Sequence, residues 1–144
     1  MAINKILFLI MTSRHIHFRT AESIHKKEKG MLMTSIPQVV RAYHLRGLKI
    51  CDTLAEAGFE CIRNNLADLG ISLNVTFRNE HVPEVERYIR TIKERVRAIA
   101  STLPFKKYPP RLIAEMVYNA VFWLNTFAHR DGVHETISPR TLIM

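Results

Sequence analysis

The strongest helical pattern in the sequence is Glu80-His81-Val82-Pro83-Glu84-Val85-Glu86-Arg87-Tyr88-Ile89-Arg90-Thr91-Ile92-Lys93-Glu94-Arg95-Val96-Arg97. Proline suits a first helical position, and the helix dipole favours acidic side chains in the first turn, so Pro83 and Glu86 predict where the helix starts. Apolar side chains then recur every three or four residues on one face, at Val85, Ile89, Ile92, Val96 and Ile99. We therefore predict a helix over 83–103 that buries this face.

The opposite face of the predicted helix is mainly basic. Four side chains share it because they lie at i, i+4, i+7 and i+11, namely Glu86, Arg90, Lys93 and Arg97. We call the three cations the basic row. A carboxylate at a helix start, followed by cations, suits a site that holds a metal ion beside a phosphate chain. The alternative is a solvated helix laced with i,i+4 ion pairs, which the pattern by itself favours because charge runs are usually solvent faces.

Composition predicts one globular domain with an anionic partner. The 144 residues are 47% hydrophobic and 24% charged, which is ordinary for a globular protein, whereas the formal net charge of +8 is not. Such a charge favours nucleic acid or an anionic membrane surface, and charge alone does not choose between them. Cys51 and Cys61 have neither Cys-x-x-Cys spacing nor a disulfide framework, so a reducing compartment is expected.

An apolar run near the N-terminus, Ile6 to Met11, is too short to span a bilayer. No small-residue cleavage site follows it, since Thr12-Ser13-Arg14-His15 is polar and basic, so a signal peptide is not expected either. We interpret the run as part of a buried strand. The chain is accordingly expected not to be secreted and not to have a membrane partner.

Strand and helix patterns alternate along the chain. The predicted strands cover 3–12, 14–20, 48–55 and 71–76, and the predicted helices cover 32–45, 59–69, 83–103 and 110–128. Residues 22–29 are predicted to be loop or a frayed helix, and the tail 129–144 is predicted to be irregular. This order predicts an α/β fold with a mixed sheet and helices on its faces. Phe122 and Trp123 lie in the most apolar helix and are predicted to pack on the sheet, with a subunit interface as the alternative for Trp123.

The segment Asn79 to Arg95 resembles a motif of the integrase catalytic core of copia-type LTR retrotransposons. The segments after it resemble the same family at Leu103-Pro104-Phe105, Phe122-Trp123-Leu124-Asn125 and Ser138-Pro139-Arg140. Two segments before it do so as well, at Phe59-Glu60-Cys61-Ile62-Arg63 and Gly70-Ile71-Ser72-Leu73-Asn74. The resemblance covers nearly the whole chain and implies a ribonuclease-H-like fold.

In the integrase family, three carboxylates hold two divalent ions, Mg²⁺ or Mn²⁺, which promote phosphoryl transfer on DNA. The resemblance places the third carboxylate on Glu86 and implies that Arg87 and the basic row meet DNA. It places the second carboxylate on Glu56. Asp52 is the other candidate, because its separation from Glu86 is nearer the spacing usual among integrases. The candidate catalytic residues are therefore Glu86, Glu56 and Asp52, and the candidate metal ligands are Glu86 and Glu56.

The sequence departs from the family pattern at two of the three carboxylates. The first Asp, expected just before Ile3, has no counterpart, and Glu56 reaches one methylene further than the Asp it replaces. The zinc-binding N-terminal domain of integrases also has no counterpart. We expect an N-terminally truncated core fragment, nuclear or cytoplasmic like its family, which is inactive although its parent enzyme integrates DNA. The alternatives are a non-catalytic basic nucleic-acid-binding module and an assembly module that retains a homo-oligomer interface.

Overall fold

The computed structural model describes residues 1–77 and 80–144, so Asn79 of the motif and Arg78 of the loop before the helix lie outside the described residues. The chain forms two compact units, where composition predicted one domain. The first unit comprises residues 1–25 and 87–144, and the second comprises residues 26–86. No helix among the described residues is both long and apolar enough to cross a membrane.

The first unit is an antiparallel sheet with three helices. The strands pair in the order β1 (Ala2–Ile3), β2 (Ile6–Thr12) and β3 (Arg19–Ile24). The unit also contains α4 (Pro110–Thr126), α5 (Pro139–Ile143) and most of α3 (Pro83–Thr102). Its core is formed by side chains from β2, β3, α3 and α4, namely Phe8, Ala21, Tyr88, Ile92, Val96, Met116, Val117, Ala120 and Val121.

The second unit is a parallel strand pair with its crossover and one further helix. Strand β4 (Asp52–Ala55) pairs with β5 (Ser72–Val75) in parallel register. A 3₁₀ helix (Ala57–Ile62) and helix α2 (Arg63–Asp68) connect the two strands, and α1 (Lys29–His44) precedes them. Its buried residues come from α1, the 3₁₀ helix, α2, β5 and the residue before β5, and include Leu32, Ile36, Val40, Tyr43, Ile62, Leu66, Ile71 and Leu73.

The α/β class predicted from the sequence is confirmed, and both kinds of strand pairing that a mixed sheet requires are present. They are divided between two sheets, however, because the antiparallel pairs lie in β1–β3 and the parallel pair lies in β4–β5. Because β4 and β5 are parallel, the chain leaves both strands at the same end of their sheet. Ligands of such sheets usually bind at this carboxyl end of the strands.

Strand β3 begins five residues later than the predicted strand over 14–20. The Ser13 hydroxyl accepts a hydrogen bond from the Ile16 N–H (3.1 Å), and the Ser13 N–H donates to the Phe18 carbonyl (2.8 Å). His17 adopts a left-handed backbone conformation with φ of 58°. These residues therefore form a closed turn, and pairing starts only at Thr12 with Arg19.

Three other boundaries also differ from the prediction. Residues 48–51 lie outside β4, although the Cys51 carbonyl still accepts the Ser72 N–H at 2.7 Å. Helix α1 starts at Lys29 and continues through Pro37. The tail predicted to be irregular contains α5, because Ser138 caps it through the Thr141 N–H and a proline occupies its first position.

The prediction that Phe122 and Trp123 pack on the sheet is wrong. Trp123 is 44% exposed and Phe122 is 42% exposed, because α4 turns its other face to the core. The Trp123 ring stacks on Phe127, which is itself 62% exposed, and meets Phe122 edge-on. The Arg140 guanidinium lies 4.3 Å from the centre of the Phe122 ring. We call Phe122, Trp123 and Phe127 the exposed aromatic cluster.

Burial predicts different stabilities for two substitutions in the first unit. Ile92 is fully buried, so Ile92→Ala removes packed methylenes and is expected to lower the free energy of unfolding by about 2–5 kcal/mol. Trp123→Ala removes a half-exposed ring and is expected to lower it less. Urea unfolding followed by circular dichroism measures both changes. An equal loss for the two variants would contradict this assignment of the core.

Candidate metal site and basic face of helix α3

The candidate site lies at the carboxyl end of the parallel strand pair in the second unit. Glu56 directly follows Ala55, the last residue of β4. The Thr76 N–H donates to the Ala55 carbonyl (2.9 Å), so the backbone pairing continues one residue past β5. His81 lies in the segment after β5, and Glu86 lies in the first turns of α3. Three separate segments of the chain therefore meet at this edge.

The segment that carries His81 is fixed at both ends. The Thr76 hydroxyl donates to the Glu80 carbonyl (3.0 Å), and the Glu80 N–H donates to the Phe77 carbonyl (2.9 Å). On the other side, Val82 is 6% exposed and its carbonyl accepts the Glu86 N–H. These bonds hold His81 between a backbone bridge and a buried anchor, at the entrance to α3.

The side chains of Glu56, His81 and Glu86 converge, and we call them the Glu–His–Glu group. His81 Nδ1 donates a hydrogen bond to Glu56 Oε1 at 3.0 Å and lies 3.8 Å from Glu86 Oε1. One donor atom from each residue lies within 4.8 Å of the other two. The side chains of His81 and Glu86 are 62% and 50% exposed, and that of Glu56 is 38% exposed, so water reaches the group.

Two basic side chains, His81 and Lys27, lie beside the carboxylate of Glu56. The hydrogen bond to Glu56, reinforced by the charges of Glu56 and Glu86, raises the pKa of His81 above its ordinary value. Lys27 Nζ lies 4.0 Å from the second carboxylate oxygen of Glu56 and 4.9 Å from the centre of the Phe59 ring. The two Glu56 oxygens thus face different cationic groups, with Oε1 toward His81 and Oε2 toward Lys27.

The structure brings Glu56, and not Asp52, to Glu86. Asp52 begins β4, and Glu56 follows four residues later, a separation of about 13 Å along an extended chain. Among the described residues, Asp52 belongs to no group that could hold a metal ion. The sequence left both candidates open, because residue spacing does not say at which end of a strand a side chain lies.

Sequence reasoning missed His81. His81 is separated from Glu56 by 25 positions in the sequence, so no short motif joins the two residues. The available signal was its place in the short segment between a strand and the helix that carries Glu86. At a sheet edge of this kind, such segments carry the ligand-binding groups.

The basic row lies where the sequence placed it, on the face of α3 opposite the core. Arg87, Arg90 and Arg97 are exposed and Lys93 is half-buried, whereas Tyr88, Ile92 and Val96 are buried. Within residues 1–77 and 80–144, no ion pair involves a member of the basic row. The alternative of a helix laced with i,i+4 ion pairs is therefore not what the described residues form.

The donor set of the Glu–His–Glu group fits one divalent cation. Two carboxylate oxygens and one imidazole nitrogen are common ligands of such ions, and the exposure of the group leaves room for water to complete the shell. A pair of ions held about 3.5–4 Å apart requires more bridging carboxylates than these. In the described part of the chain, no further carboxylate joins the group.

Two solved structures with a similar fold are catalytic core domains of integrases. The catalytic core domain of BIV integrase has a TM-score of 0.66 and 17% sequence identity, covering 97% of this chain and 86% of that one. The HTLV-2 integrase catalytic core domain, in complex with magnesium in a trimeric form, has a TM-score of 0.67 and 12% identity, covering 99% and 88%. No protein-family model and no curated protein sequence matches the chain. The chain therefore has the ribonuclease-H-like fold of retroviral integrase catalytic cores.

The contact between His81 and Glu56 predicts a change in the pKa of His81. Glu56→Gln removes the charged acceptor that stabilises the imidazolium, so the pKa of His81 is expected to fall toward its ordinary value. Titration of the His81 ring signals by NMR measures the change. Asp52→Asn is the matched control and is expected to leave the His81 titration in place. Equal effects of the two substitutions would contradict the contact.

Proposed function

We propose that this chain is an integrase-derived DNA-binding core that holds one divalent cation between Glu56 and Glu86. The observation that carries the proposal is the convergence of these two carboxylates at the start of a helix whose outer face is basic. The integrase core fold supports the same proposal independently. The basic row, together with Arg87, contacts the phosphates of duplex DNA, while the carboxylates hold the cation.

The cation in the proposed function is Mg²⁺ or Mn²⁺. The magnesium complex of the HTLV-2 core is one reason for this choice, and the carboxylate oxygens of Glu56 and Glu86 are the other. Such an ion, when bound, polarises a phosphate oxygen as a Lewis acid. Glu86 also lies in the first turn of α3, where the helix dipole favours a negatively charged side chain.

We further propose that the chain does not join DNA strands. Two-ion displacement needs metal ions fixed at a short separation, and the Glu–His–Glu group offers ligands for one. The finer origin, a copia-type LTR retrotransposon with DNA integration as the parent activity, is supported by the sequence resemblance of residues 79–95. The same resemblance supports a nuclear or cytoplasmic location.

A second candidate function is an assembly module. The exposed aromatic cluster favours it, because large aromatic side chains are enriched at protein interfaces and these three are 42–62% exposed. In this function α4 presents the aromatic cluster to a second copy of the chain. Analytical ultracentrifugation of Trp123→Ala separates the two functions, since loss of an oligomer with unchanged DNA affinity favours assembly.

The first prediction from the proposed function concerns salt. Each phosphate contact contributes about 0.9 to the slope of log affinity against log salt on duplex DNA. Arg90→Ala combined with Lys93→Ala is therefore expected to lower the slope by about 1.8. Fluorescence anisotropy on a labelled duplex at several salt concentrations measures it.

A variant with the same change in net charge serves as the control for that experiment. Lys106→Ala combined with Lys107→Ala removes two exposed cations that follow the end of α3 and do not belong to the basic row. Its slope is expected to match that of the unmodified chain. If both double variants lower the slope equally, the basic row is not the specific DNA contact.

The second prediction concerns the cation and activity. Weak Mn²⁺ binding is expected, because two carboxylates and water hold a hard cation loosely, and Glu86→Gln is expected to abolish it. Electron paramagnetic resonance of free Mn²⁺ measures the binding, with Glu94→Gln on the same helix as the control. No strand transfer is expected with Mg²⁺ or Mn²⁺. Robust joining by the unmodified chain would contradict the assignment of ligands.

A further inference from the structure

We infer that His81 is the third ligand of the cation site and makes it selective for transition-metal ions over Mg²⁺. The inference rests on the proposed function, since it takes the cation site at Glu56 and Glu86 as its starting point. It adds a nitrogen ligand, His81, to a site whose other protein ligands are carboxylates. The argument follows from distances, from the separate anchoring of the three segments and from the donor atoms themselves.

The distances within the Glu–His–Glu group are close to those of donors around one ion. Two ligand atoms bound at about 2.1 Å to the same ion lie about 3.0 Å apart in an octahedral shell and about 3.4 Å apart in a tetrahedral one. His81 Nδ1 lies 3.0 Å from Glu56 Oε1 and 3.8 Å from Glu86 Oε1. The distance from His81 Nδ1 to Glu86 Oε1 exceeds both values, and the Glu86 side chain, which is 50% exposed, must rotate toward the ion to become its ligand.

The three donors are positioned independently of one another. Glu56 is placed by the end of β4, and Glu86 is placed by the start of α3. His81 is placed by the hydrogen bonds of its neighbours Glu80 and Val82. Lys27 faces Glu56 Oε2 and leaves Oε1 directed at His81. The group therefore offers two carboxylate oxygens and one imidazole nitrogen to an ion, and solvent access leaves the remaining positions to water. An ion bound at His81 Nδ1 replaces the proton that this nitrogen donates to Glu56, and that proton is released to water.

The donor atoms decide the selectivity. Imidazole nitrogen is a good ligand for Zn²⁺, Co²⁺ and Ni²⁺, whereas Mg²⁺ prefers an octahedral shell of oxygen atoms and retains several of its waters. One nitrogen among three protein donors therefore strengthens Zn²⁺ binding and adds little for Mg²⁺. The expected order of affinity is Zn²⁺ above Mn²⁺ above Mg²⁺, which follows the general order for sites with nitrogen donors.

Isothermal titration calorimetry with ZnCl₂, MnCl₂ and MgCl₂ on the untagged full chain tests the inference. The exposed thiols of Cys51 and Cys61 also bind Zn²⁺, so all measurements use the Cys51→Ser, Cys61→Ser background. His81→Gln is the test variant, and circular dichroism checks that this substitution of a side chain that is 62% exposed leaves the chain folded. His44→Gln, an exposed histidine of the same unit, is the matched control.

The expected result is that His81→Gln weakens Zn²⁺ binding at least about tenfold and leaves Mg²⁺ binding within about twofold, so that the Zn²⁺ to Mg²⁺ affinity ratio falls. His44→Gln is expected to leave the ratio unchanged. In the chain that retains His81, Zn²⁺ is also expected to shift the ¹⁵N resonance of His81 Nδ1. A merely structural role of His81 does not produce such a shift.

Two outcomes overturn the inference, and Glu86→Gln distinguishes them. If His81→Gln leaves the ratio unchanged and Zn²⁺ does not shift the His81 resonance, while Glu86→Gln abolishes cation binding, the selectivity inference fails and the proposed cation site stands. If Glu86→Gln also leaves binding by all three ions unchanged, the proposed cation site fails together with the inference.

Discussion

Helix α3 is the constraint on which the rest of the structure depends, because its two faces must meet opposite requirements. Tyr88, Ile92 and Val96 are buried in the core of the first unit. Glu86 and the basic row share one face at i, i+4, i+7 and i+11, so the same helical register that buries this stripe turns them outward. Burial of the stripe therefore fixes the direction of the basic row, and no separate interaction is needed to orient it.

The elements with strong periodicity could be predicted from the sequence, and those fixed by single contacts could not. Helices α3 and α4 follow from their apolar spacing and their prolines, and β2 follows from its apolar run. The start of β3 depends instead on the Ser13 hydroxyl and on the left-handed backbone of His17, neither of which leaves a periodic signal. The predicted apolar stripe contains only aliphatic residues and therefore lacks Tyr88. The Tyr88 ring is buried, and the Arg19 guanidinium lies over it.

The candidate site shows the same division between what the sequence contains and what only the fold provides. Glu86 is recognisable from its position at a helix start, and the choice between Asp52 and Glu56 is not, because it depends on which residue ends β4. The apolar character of α4 wrongly predicted a buried Trp123 for a related reason, because α4 has more apolar residues than its buried face can hold. Phe122 and Trp123 remain exposed and form the exposed aromatic cluster with Phe127, which follows the helix. Composition predicts how many side chains are apolar, whereas the packing of α4 on β3 decides which of them are covered.

The proposed cation and DNA sites are linked through the charge of Glu86. Glu86 and Arg90 are one helical turn apart, so a phosphate chain that follows the basic row meets a negative charge at the N-terminal end of that row. A cation held by Glu86 removes this repulsion and adds attraction for the same phosphate oxygens. By linkage, DNA at the basic row must then strengthen cation binding by the same factor as the cation strengthens DNA binding. Lys27 already supplies positive charge beside Glu56, so the coupling measures the additional positive charge that the cation brings to the carboxylates.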